Sequence, residues 1–112
     1  MSDQDLPISV GRIRIDPARY DVMVDGERVE LTLMQFNLLK ALARRPDWIY
    51  TPEQLSGAIP DRRDPITASS LKNQVYQLRR KLGPAAVQVQ TVRGLGYRLA
   101  TSSGSASSLD EH

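Results

Sequence analysis

The sequence contains no cysteine, and its single histidine, His112, is the last of the 112 residues. Without cysteine there is no disulfide scaffold, no thiolate metal site and no cysteine nucleophile. A histidine at the very end of the chain also argues against a histidine-based catalytic or zinc site within a folded domain, so no metal or cofactor is expected. Apolar runs are only a few residues long, which argues against a transmembrane span or a signal peptide. We therefore expect a cytoplasmic protein without membrane contact.

What remains is an ordinary globular composition, with 40% hydrophobic and 25% charged residues in a length that suits one domain. The net charge of +2 is distributed unevenly. Residues 1–60 carry a net charge of −2, residues 61–98 carry +6, and residues 99–112 carry −2. A basic third beside an acidic remainder favours a surface that meets a polyanion, although a run of arginines on a helix is also typical of a solvated face.

Both ends of the chain differ in composition from its centre. Residues 1–6 and the Ser/Gly-rich residues 101–112 lack hydrophobic periodicity and are predicted to be disordered tails. The folded domain is expected over residues 7–100.

The first third of the chain shows the alternation typical of short antiparallel strands. Apolar residues alternate around two turn signals, Asp16-Pro17 and the hairpin dipeptide Asp25-Gly26. These apolar residues are Ile8, Val10, Ile13, Ile15, Tyr20, Val22, Val24, Val29 and Leu31. Three or four strands with one apolar face need a cover, which the helices that follow can supply.

Two capping boxes mark the starts of two helices. In each, a threonine caps the helix and a glutamine three residues later reaches back to it: Thr32 with Gln35, and Thr51 with Gln54. The first helix is predicted over about residues 33–45, because apolar residues recur at helical spacing before Pro46: Leu33, Phe36, Leu39, Leu42 and Ala43. The second helix begins with Pro52 at its first position and ends before Pro60.

The third helix, predicted over about residues 67–82, is the most informative element. Its apolar residues fall on one stripe: Leu71, Val75, Leu78 and Leu82. At 100° per residue, the opposite side collects Ser69, Lys72, Asn73, Tyr76, Gln77 and Arg80. No acidic residue occurs between Thr67 and Leu82, and Gly83-Pro84 is predicted to end the helix.

A β-hairpin is predicted after this helix. Residues 87–92 alternate at period two, residues 93–96 (Arg-Gly-Leu-Gly) form the tip, and residues 97–99 return. The glycines beside Arg93 let the backbone approach another molecule, which suits insertion into a minor groove or contact with a phosphate. The alternative is a turn arginine that bonds its own strand. The short segment 48–50 is predicted to be a bridging strand or a turn.

Two short helices, a longer third helix and a hairpin form a winged helix-turn-helix, and the third helix indicates DNA binding. Asparagine and glutamine present a donor beside an acceptor, which matches the edge of adenine, while arginine and lysine suit guanine. Carboxylates are unfavourable beside phosphates, so their absence from this helix favours a nucleic-acid groove. The expected base-reading residues are Ser69, Asn73, Tyr76 and Gln77. The expected phosphate contacts are Lys72, Arg79, Arg80, Arg93 and Arg98, together with Thr91.

Structural roles stay open for several of these side chains. Asn73 and Gln77 also suit an ordinary solvated helix face. Tyr76 fits equally well against a neighbouring side chain. Thr91 and Tyr97 can both donate to phosphates, but as strand residues they equally suit the core, Tyr97 more than Thr91.

The alternative function is a winged-helix module that binds RNA polymerase or another protein and no DNA. It would use the charged loop Pro60–Ile66, where Arg62 and Arg63 equally suit a mobile, solvated segment. The carboxylates of the chain show no convergent spacing, so an enzyme is not expected.

Four segments of the sequence carry a resemblance to a known family. They are LTLMQFNLL at 31–39, IYTPEQL at 49–55, LRRKL at 78–82 and QTVRGLGYRL at 90–99. Together, over about residues 8–99, they resemble the OmpR/PhoB-type effector domain, the DNA-binding half of many bacterial two-component response regulators. The string TVRGxGYR after LRxxL is quite specific to that family.

The resemblance implies an α+β fold with a four-stranded antiparallel N-terminal sheet, three helices and a C-terminal hairpin wing. It implies transcription regulation through double-stranded DNA, with residues 67–82 in the major groove and Arg93 in the minor groove. It also implies head-to-tail binding to direct repeats and contact of RNA polymerase with the loop Pro60–Ile66. The operator sequence is not implied, because the chain departs from the family pattern at Lys72 (usually acidic), Gln74 (commonly histidine), and Tyr76 and Gln77 (frequently arginine).

Overall fold

The computed structural model describes residues 6–59 and 66–101, and within them the elements follow the predicted order. The predicted tails, apart from Leu6 and Thr101, lie outside the described residues, as do residues 60–65 of the charged loop. Four strands come first: β1 Ile8–Val10, β2 Ile13–Asp16, β3 Asp21–Val24 and β4 Glu27–Val29. Three α-helices follow: α1 Leu33–Arg44, α2 Pro52–Ala58 and α3 Ala68–Leu82. A 3₁₀ helix, Gly83–Gln88, leads to the hairpin strands β5 Val89–Val92 and β6 Gly96–Leu99.

The first four strands form one antiparallel sheet in the order β1-β2-β3-β4, as the resemblance implies. Apolar residues at alternate positions are buried on its inner face: Val10, Ile13, Ile15, Val22 and Val24. The β3–β4 hairpin turns at Asp25 and Gly26, with φ of 53° and 85°. Two successive positive φ angles are those of a type I′ turn, so this prediction is confirmed.

Helix α1 covers the sheet and provides the centre of the core. Its capping box is present, because Gln35 N donates to Thr32 Oγ1 at 3.1 Å and Thr32 N donates to Gln35 Oε1 at 2.9 Å. Leu38, Leu39 and Leu42 are fully buried. The expected burial of Leu33 is wrong, since its side chain is 63% exposed. Side chains of a helix tilt toward its N-terminus, which carries that of the first helical residue past the end of the core.

The other two helices complete the core of the helix-turn-helix. Helix α2 has the second capping box, in which Gln54 N donates to Thr51 Oγ1 at 3.1 Å. It buries Leu55, and Ile59 just beyond it is also buried. Helix α3 is capped by Thr67, whose Oγ1 accepts from Ser70 N at 3.0 Å. The predicted stripe of α3 is confirmed, because all four of its residues are buried: Leu71, Val75, Leu78 and Leu82.

Residues 83–92 differ from the sequence-based expectation. Helix α3 ends at Leu82 as predicted, and Gly83 takes a positive φ of 56°, but a 3₁₀ helix follows before the strand. The strand therefore begins at Val89 and not at Val87, which is 57% exposed. The physical reason lies in Gln88, which alternation places on a polar face but the structure buries completely. Its Oε1 accepts from Arg12 N at 3.0 Å, and its Nε2 donates to the carbonyls of Val10 and Ala100 at 2.9 Å each.

None of the helices in the described ranges has both the length and the apolar character that crossing a membrane requires. The longest of them, α3, has 15 residues. Its exposed side is polar.

Candidate nucleic-acid interface

Helix α3 presents one continuous polar surface opposite its buried stripe. We call this surface the outward face of α3. It consists of the exposed residues Ser69, Lys72, Asn73, Tyr76 and Arg80 and the half-buried Gln77. The structure therefore brings all six of the residues predicted on that side of the helix onto one face. Most of the hydrogen-bonding capacity of the face consists of amide, hydroxyl and cationic groups directed to the solvent.

The wing, which consists of β5, the turn 93–95 and β6, follows α3 in the chain. Its strands are antiparallel, with Val89 opposite Leu99 and Val92 opposite Gly96. Leu95 N donates to Val92 O at 2.9 Å, which closes the turn. Arg93 is exposed at this turn, beside Gly94 with its positive φ of 79°. The wing thus ends in an accessible cation, as the sequence predicted.

The second glycine of the turn has an internal role that the sequence did not reveal. Gly96 has φ 156°, and a Cβ there would collide with the backbone carbonyl of Tyr50. Tyr50 makes a strand bridge to the wing, in which Tyr50 N donates to Tyr97 O at 2.8 Å and Tyr97 N to Tyr50 O at 2.9 Å. The predicted bridging strand in 48–50 is thereby confirmed. Gly96 is required for this close packing, while only Gly94 gives the tip its freedom.

Three of the predicted phosphate contacts are hydrogen-bonded within the protein: Arg79, Thr91 and Arg98. Arg79 Nε donates to the backbone carbonyl of Val89 at 2.7 Å, and its Nη2 donates to Thr91 Oγ1 at 2.6 Å. Partial burial lowers the pKa of the Arg79 guanidinium from its usual value, against an opposing electrostatic effect of Tyr97. The group nevertheless stays protonated at neutral pH. Arg98 Nε donates to Gln90 Oε1 at 2.7 Å, so both arginines have donors engaged by β5.

The sequence left open the roles of two aromatic side chains, and the structure settles one of them. Tyr97 is a core residue, with only 8% of its surface exposed. Tyr76 is exposed, and the guanidinium of Arg80, one turn later, lies 6.0 Å from its ring centroid. This cation–π contact orders both side chains at the surface and leaves them accessible.

Charge separates this region sharply from the sheet. Residues 66–101 contain six cations and no carboxylate: Lys72, Arg79, Arg80, Lys81, Arg93 and Arg98. Three ion pairs occur among the described residues, and all of them join residues between 12 and 28. The described part of the chain also holds no group of three or more His, Cys, Asp or Glu residues that could bind a metal. The surface of α3 and the wing is therefore suited to anions that come from outside the domain.

The sequence-based reasoning missed three residues that shape this surface. Tyr50 forms a strand bridge to β6 of the wing, and Gln90 accepts a hydrogen bond from Arg98. Gln88 connects the start of β5 to the sheet through a hydrogen bond to Val10 O. Gln88 and Gln90 look alike in an alternating pattern, in which both are expected to face solvent. No local signal distinguishes them, because two of the three side-chain partners of Gln88 lie 76 and 78 residues away in sequence and the third lies 12 residues away.

Comparison with known proteins gives a uniform result. The family model described as "Transcriptional regulatory protein, C terminal" matches residues 26–99. The DNA-binding response regulator MtrA of Mycolicibacterium smegmatis is 36% identical over 94 residues, a match that covers 81% of this chain and 41% of that protein. The phosphate regulon transcriptional regulatory protein PhoB of Pseudomonas aeruginosa is 31% identical over 102 residues, covering 90% and 44%. The chain thus spans about two fifths of the length of these curated relatives.

Solved structures show the same relationship. The DNA-binding domain of Klebsiella pneumoniae RstA, crystallised in complex with the RstA box, superposes with a TM-score of 0.74 and is 31% identical, covering 85% of this chain and 97% of that one. The DNA-binding domain of CpxR from E. coli gives a TM-score of 0.73 at 28% identity, covering 88% and 99%. The fold is therefore a winged helix-turn-helix, and the chain belongs to the transcriptional regulatory protein C-terminal family, the OmpR/PhoB-type effector domains.

Proposed function

We propose that this domain binds double-stranded DNA in a sequence-specific manner and thereby regulates bacterial transcription. The observation that carries this proposal is the outward face of α3, which lies with the wing in a region of six cations and no carboxylate. Double-stranded DNA matches both features of that surface, because its phosphates suit the cations and the base edges in its grooves suit the hydrogen-bonding side chains of α3. The RstA domain, a structural relative of the chain, was crystallised in complex with DNA, which supports the same class of ligand.

In this proposal, α3 lies in the major groove and its amides read the bases. Asn73 and Gln77 are four residues apart, or about 6 Å along the helix axis, so that they face neighbouring base steps. Each amide can accept from the N6–H group of adenine through its oxygen and donate to N7 through its NH₂ group, forming a bidentate pair. Ser69 adds a hydroxyl near the start of α3, and the ring of Tyr76 suits a thymine methyl group.

Phosphate contacts position the domain on the duplex. Lys72, Arg79, Arg80 and Arg98 neutralise backbone phosphates, and Thr91 donates its hydroxyl to another. Arg93, at the tip of the wing, enters the minor groove, where a narrow A·T-rich segment attracts a guanidinium. About four or five phosphates neutralised in this way imply a slope near −4 in a plot of log affinity against log salt concentration.

The setting of the domain follows from its relatives. We infer that it acts in a cytoplasmic response regulator of a two-component system, binds direct repeats head-to-tail, and has no enzymatic activity of its own. RNA polymerase would be contacted through the loop Pro60–Ile66, of which only Ile66 is described. Ile66 N donates to Ser56 Oγ at 2.9 Å, so this end of the loop is fixed to α2.

The first experiment is a titration with a random-sequence duplex at 50 mM salt, followed by selection of bound sequences from a random pool. A DNA-binding domain gives non-specific binding with Kd of roughly 100 µM or tighter. The selection then yields the operator, its repeat spacing and the number of bound copies. If neither duplex nor pool is bound, the proposal fails and a protein-interaction module becomes the better explanation.

A charge reversal tests whether the outward face itself makes the contact. Lys72→Glu replaces one of the six cations with a carboxylate and should reduce duplex affinity by at least about tenfold, since a phosphate contact is replaced by repulsion. Lys40→Glu on α1 changes the net charge by the same amount away from this face and is the matched control. Equal losses in the two variants would mean that only net charge matters, which contradicts the assigned face.

A further inference from the structure

Arg79 occupies a different position from the other cations of α3. Its neighbour Arg80 is exposed and lies over Tyr76, whereas Arg79 is half-buried between α3 and the wing. The two hydrogen bonds of Arg79, to Val89 O at 2.7 Å and to Thr91 Oγ1 at 2.6 Å, both cross from α3 to β5. These acceptors are two residues apart on one strand, so the planar guanidinium fork holds the strand at two points.

The wing depends on such attachments for its orientation. It is a two-stranded hairpin, and isolated hairpins of this kind are marginally stable in water. The Tyr50 bridge fixes β6 through Tyr97, and the Arg79 fork fixes β5 to α3. In the proposed complex the outward face of α3 and Arg93 enter different grooves. Their relative position therefore decides whether both contacts form at once.

We propose that Arg79 is a positioning residue, whose bidentate grip on β5 sets the angle between α3 and the wing so that major-groove and minor-groove contacts form together. This inference rests on the proposed DNA-binding function and assigns Arg79 a role other than that of an independent phosphate anchor. Two of its nitrogen donors are engaged by β5, and the others stay available for a phosphate placed by the same geometry.

The first test uses Arg79→Lys, which keeps the charge but has no fork that spans both acceptors. Duplex affinity should fall about tenfold, because the misplaced wing no longer brings Arg93 to the DNA together with the outward face of α3, and the magnitude of the salt slope should fall by no more than about 1. Arg44→Lys, at the exposed C-terminal end of α1, is the matched control and should bind like the unmodified protein. An Arg79→Lys affinity within about twofold of the unmodified protein would identify Arg79 as a simple point charge and overturn the proposal.

The second test measures coupling to the wing tip. Arg93→Ala should weaken binding about thirtyfold in the unmodified background but only about threefold in Arg79→Lys, because the wing is already misplaced there. An independent phosphate anchor gives losses that multiply. Equal thirtyfold losses in both backgrounds would overturn the proposal.

The third test needs no DNA and separates this inference from the proposed function. In the free protein, ¹⁵N relaxation of the amides of 91–96 should show increased mobility in Arg79→Lys and in Thr91→Val, which lacks the hydroxyl acceptor. Thr91→Ser keeps the hydroxyl and should restore the rigidity of the wing, while the amide signals of α1 stay in place in all three. Unchanged wing amides in both disruptive variants would overturn the positioning role. If duplex DNA is not bound at all, the proposed function fails, and this measurement still decides whether Arg79 holds the wing.

Discussion

The sheet and the α3–wing region use their charges in opposite ways. In the sheet, carboxylates and guanidiniums cancel locally: Arg28 lies 2.9 Å and Arg19 3.6 Å from Asp21, and Arg12 lies 3.7 Å from Asp25. In residues 66–101 six cations stand without a carboxylate. Exposed ion pairs contribute only about 0–1 kcal/mol each to stability, so the pairing in the sheet matters mainly because it removes net charge. The sheet thus neutralises its charges internally, whereas the α3–wing region keeps a net positive charge that suits an anion from outside the domain.

The largest effect expected from this difference is the response of DNA binding to salt. With four or five phosphates neutralised, raising the salt concentration from 50 to 200 mM should weaken duplex binding about 250-fold. The thermal unfolding midpoint should change little over the same range, because the sheet pairs are weak contributors. Fluorescence anisotropy with a labelled duplex measures the first quantity and circular dichroism the second. A slope shallower than about −2 would mean that most of the six cations do not reach phosphates.

The second prediction concerns the joint between the two regions. Gln88 is fully buried and links the β1–β2 turn to the root of the wing through three hydrogen bonds. Gln88→Ala should lower the free energy of unfolding by about 2–4 kcal/mol, because buried backbone groups lose their partner. Urea denaturation measures the loss, and Gln90→Ala, at a half-buried position on β5, is the control, with an expected loss below about 1 kcal/mol. Equal losses would show that the joint is not made by Gln88.

The third prediction concerns the tip of the wing. Arg93→Ala should weaken duplex binding by roughly 1–3 kcal/mol and reduce the magnitude of the salt slope by about 1. Titrations at several salt concentrations give both values. If affinity and slope both stay unchanged, the wing does not contact DNA, and only the outward face of α3 remains as the proposed DNA-binding surface.

The sequence predicted those parts of the fold that local chemistry determines. Both capping boxes, the Asp25-Gly26 turn and the buried stripe of α3 are confirmed, because each depends on residues within one turn of a helix or one hairpin. The family motifs added the number of strands in the sheet. The outward face of α3 was predicted from helical periodicity alone, since each residue advances by 100° and residues three or four apart share a face whatever the rest of the molecule does.

The parts that the sequence did not predict depend on contacts between residues that are far apart in sequence. The start of β5 was wrong because Gln88 is held by groups that precede it by more than 75 residues. Gly96 was expected to let the backbone approach another molecule, but its lack of a side chain accommodates the Tyr50 backbone within the domain. The hydrogen bonds of Arg79 to β5 were not predicted either, because helical periodicity cannot show that this strand lies next to it. Contacts of this kind depend on tertiary structure, which no local pattern encodes.

The fourth prediction separates base reading from phosphate binding within the α3–wing region. Asn73→Ala should cost about 1–3 kcal/mol at one base pair of the selected operator, through the loss of a bidentate amide contact. Its affinity for a random duplex should stay within about twofold of that of the unmodified domain, because an amide neutralises no phosphate. Competition between operator and random duplex measures the ratio. A parallel loss on both duplexes would make Asn73 a general contact and not a base reader.

The smallest effect is expected in the sheet. Arg28→Ala removes a cation, as Arg93→Ala does, but this cation is already neutralised by Asp21 at 2.9 Å. Stability should fall by less than about 1 kcal/mol, and the affinity for a duplex with a single site should stay within about twofold. The pair of variants has equal net charge, so any difference in DNA binding reports position and pairing alone. If Arg28→Ala weakened single-site binding as much as Arg93→Ala, the cations of the sheet would also face DNA. The contrast between the two regions would then be one of local pairing only, with no consequence for where the duplex lies.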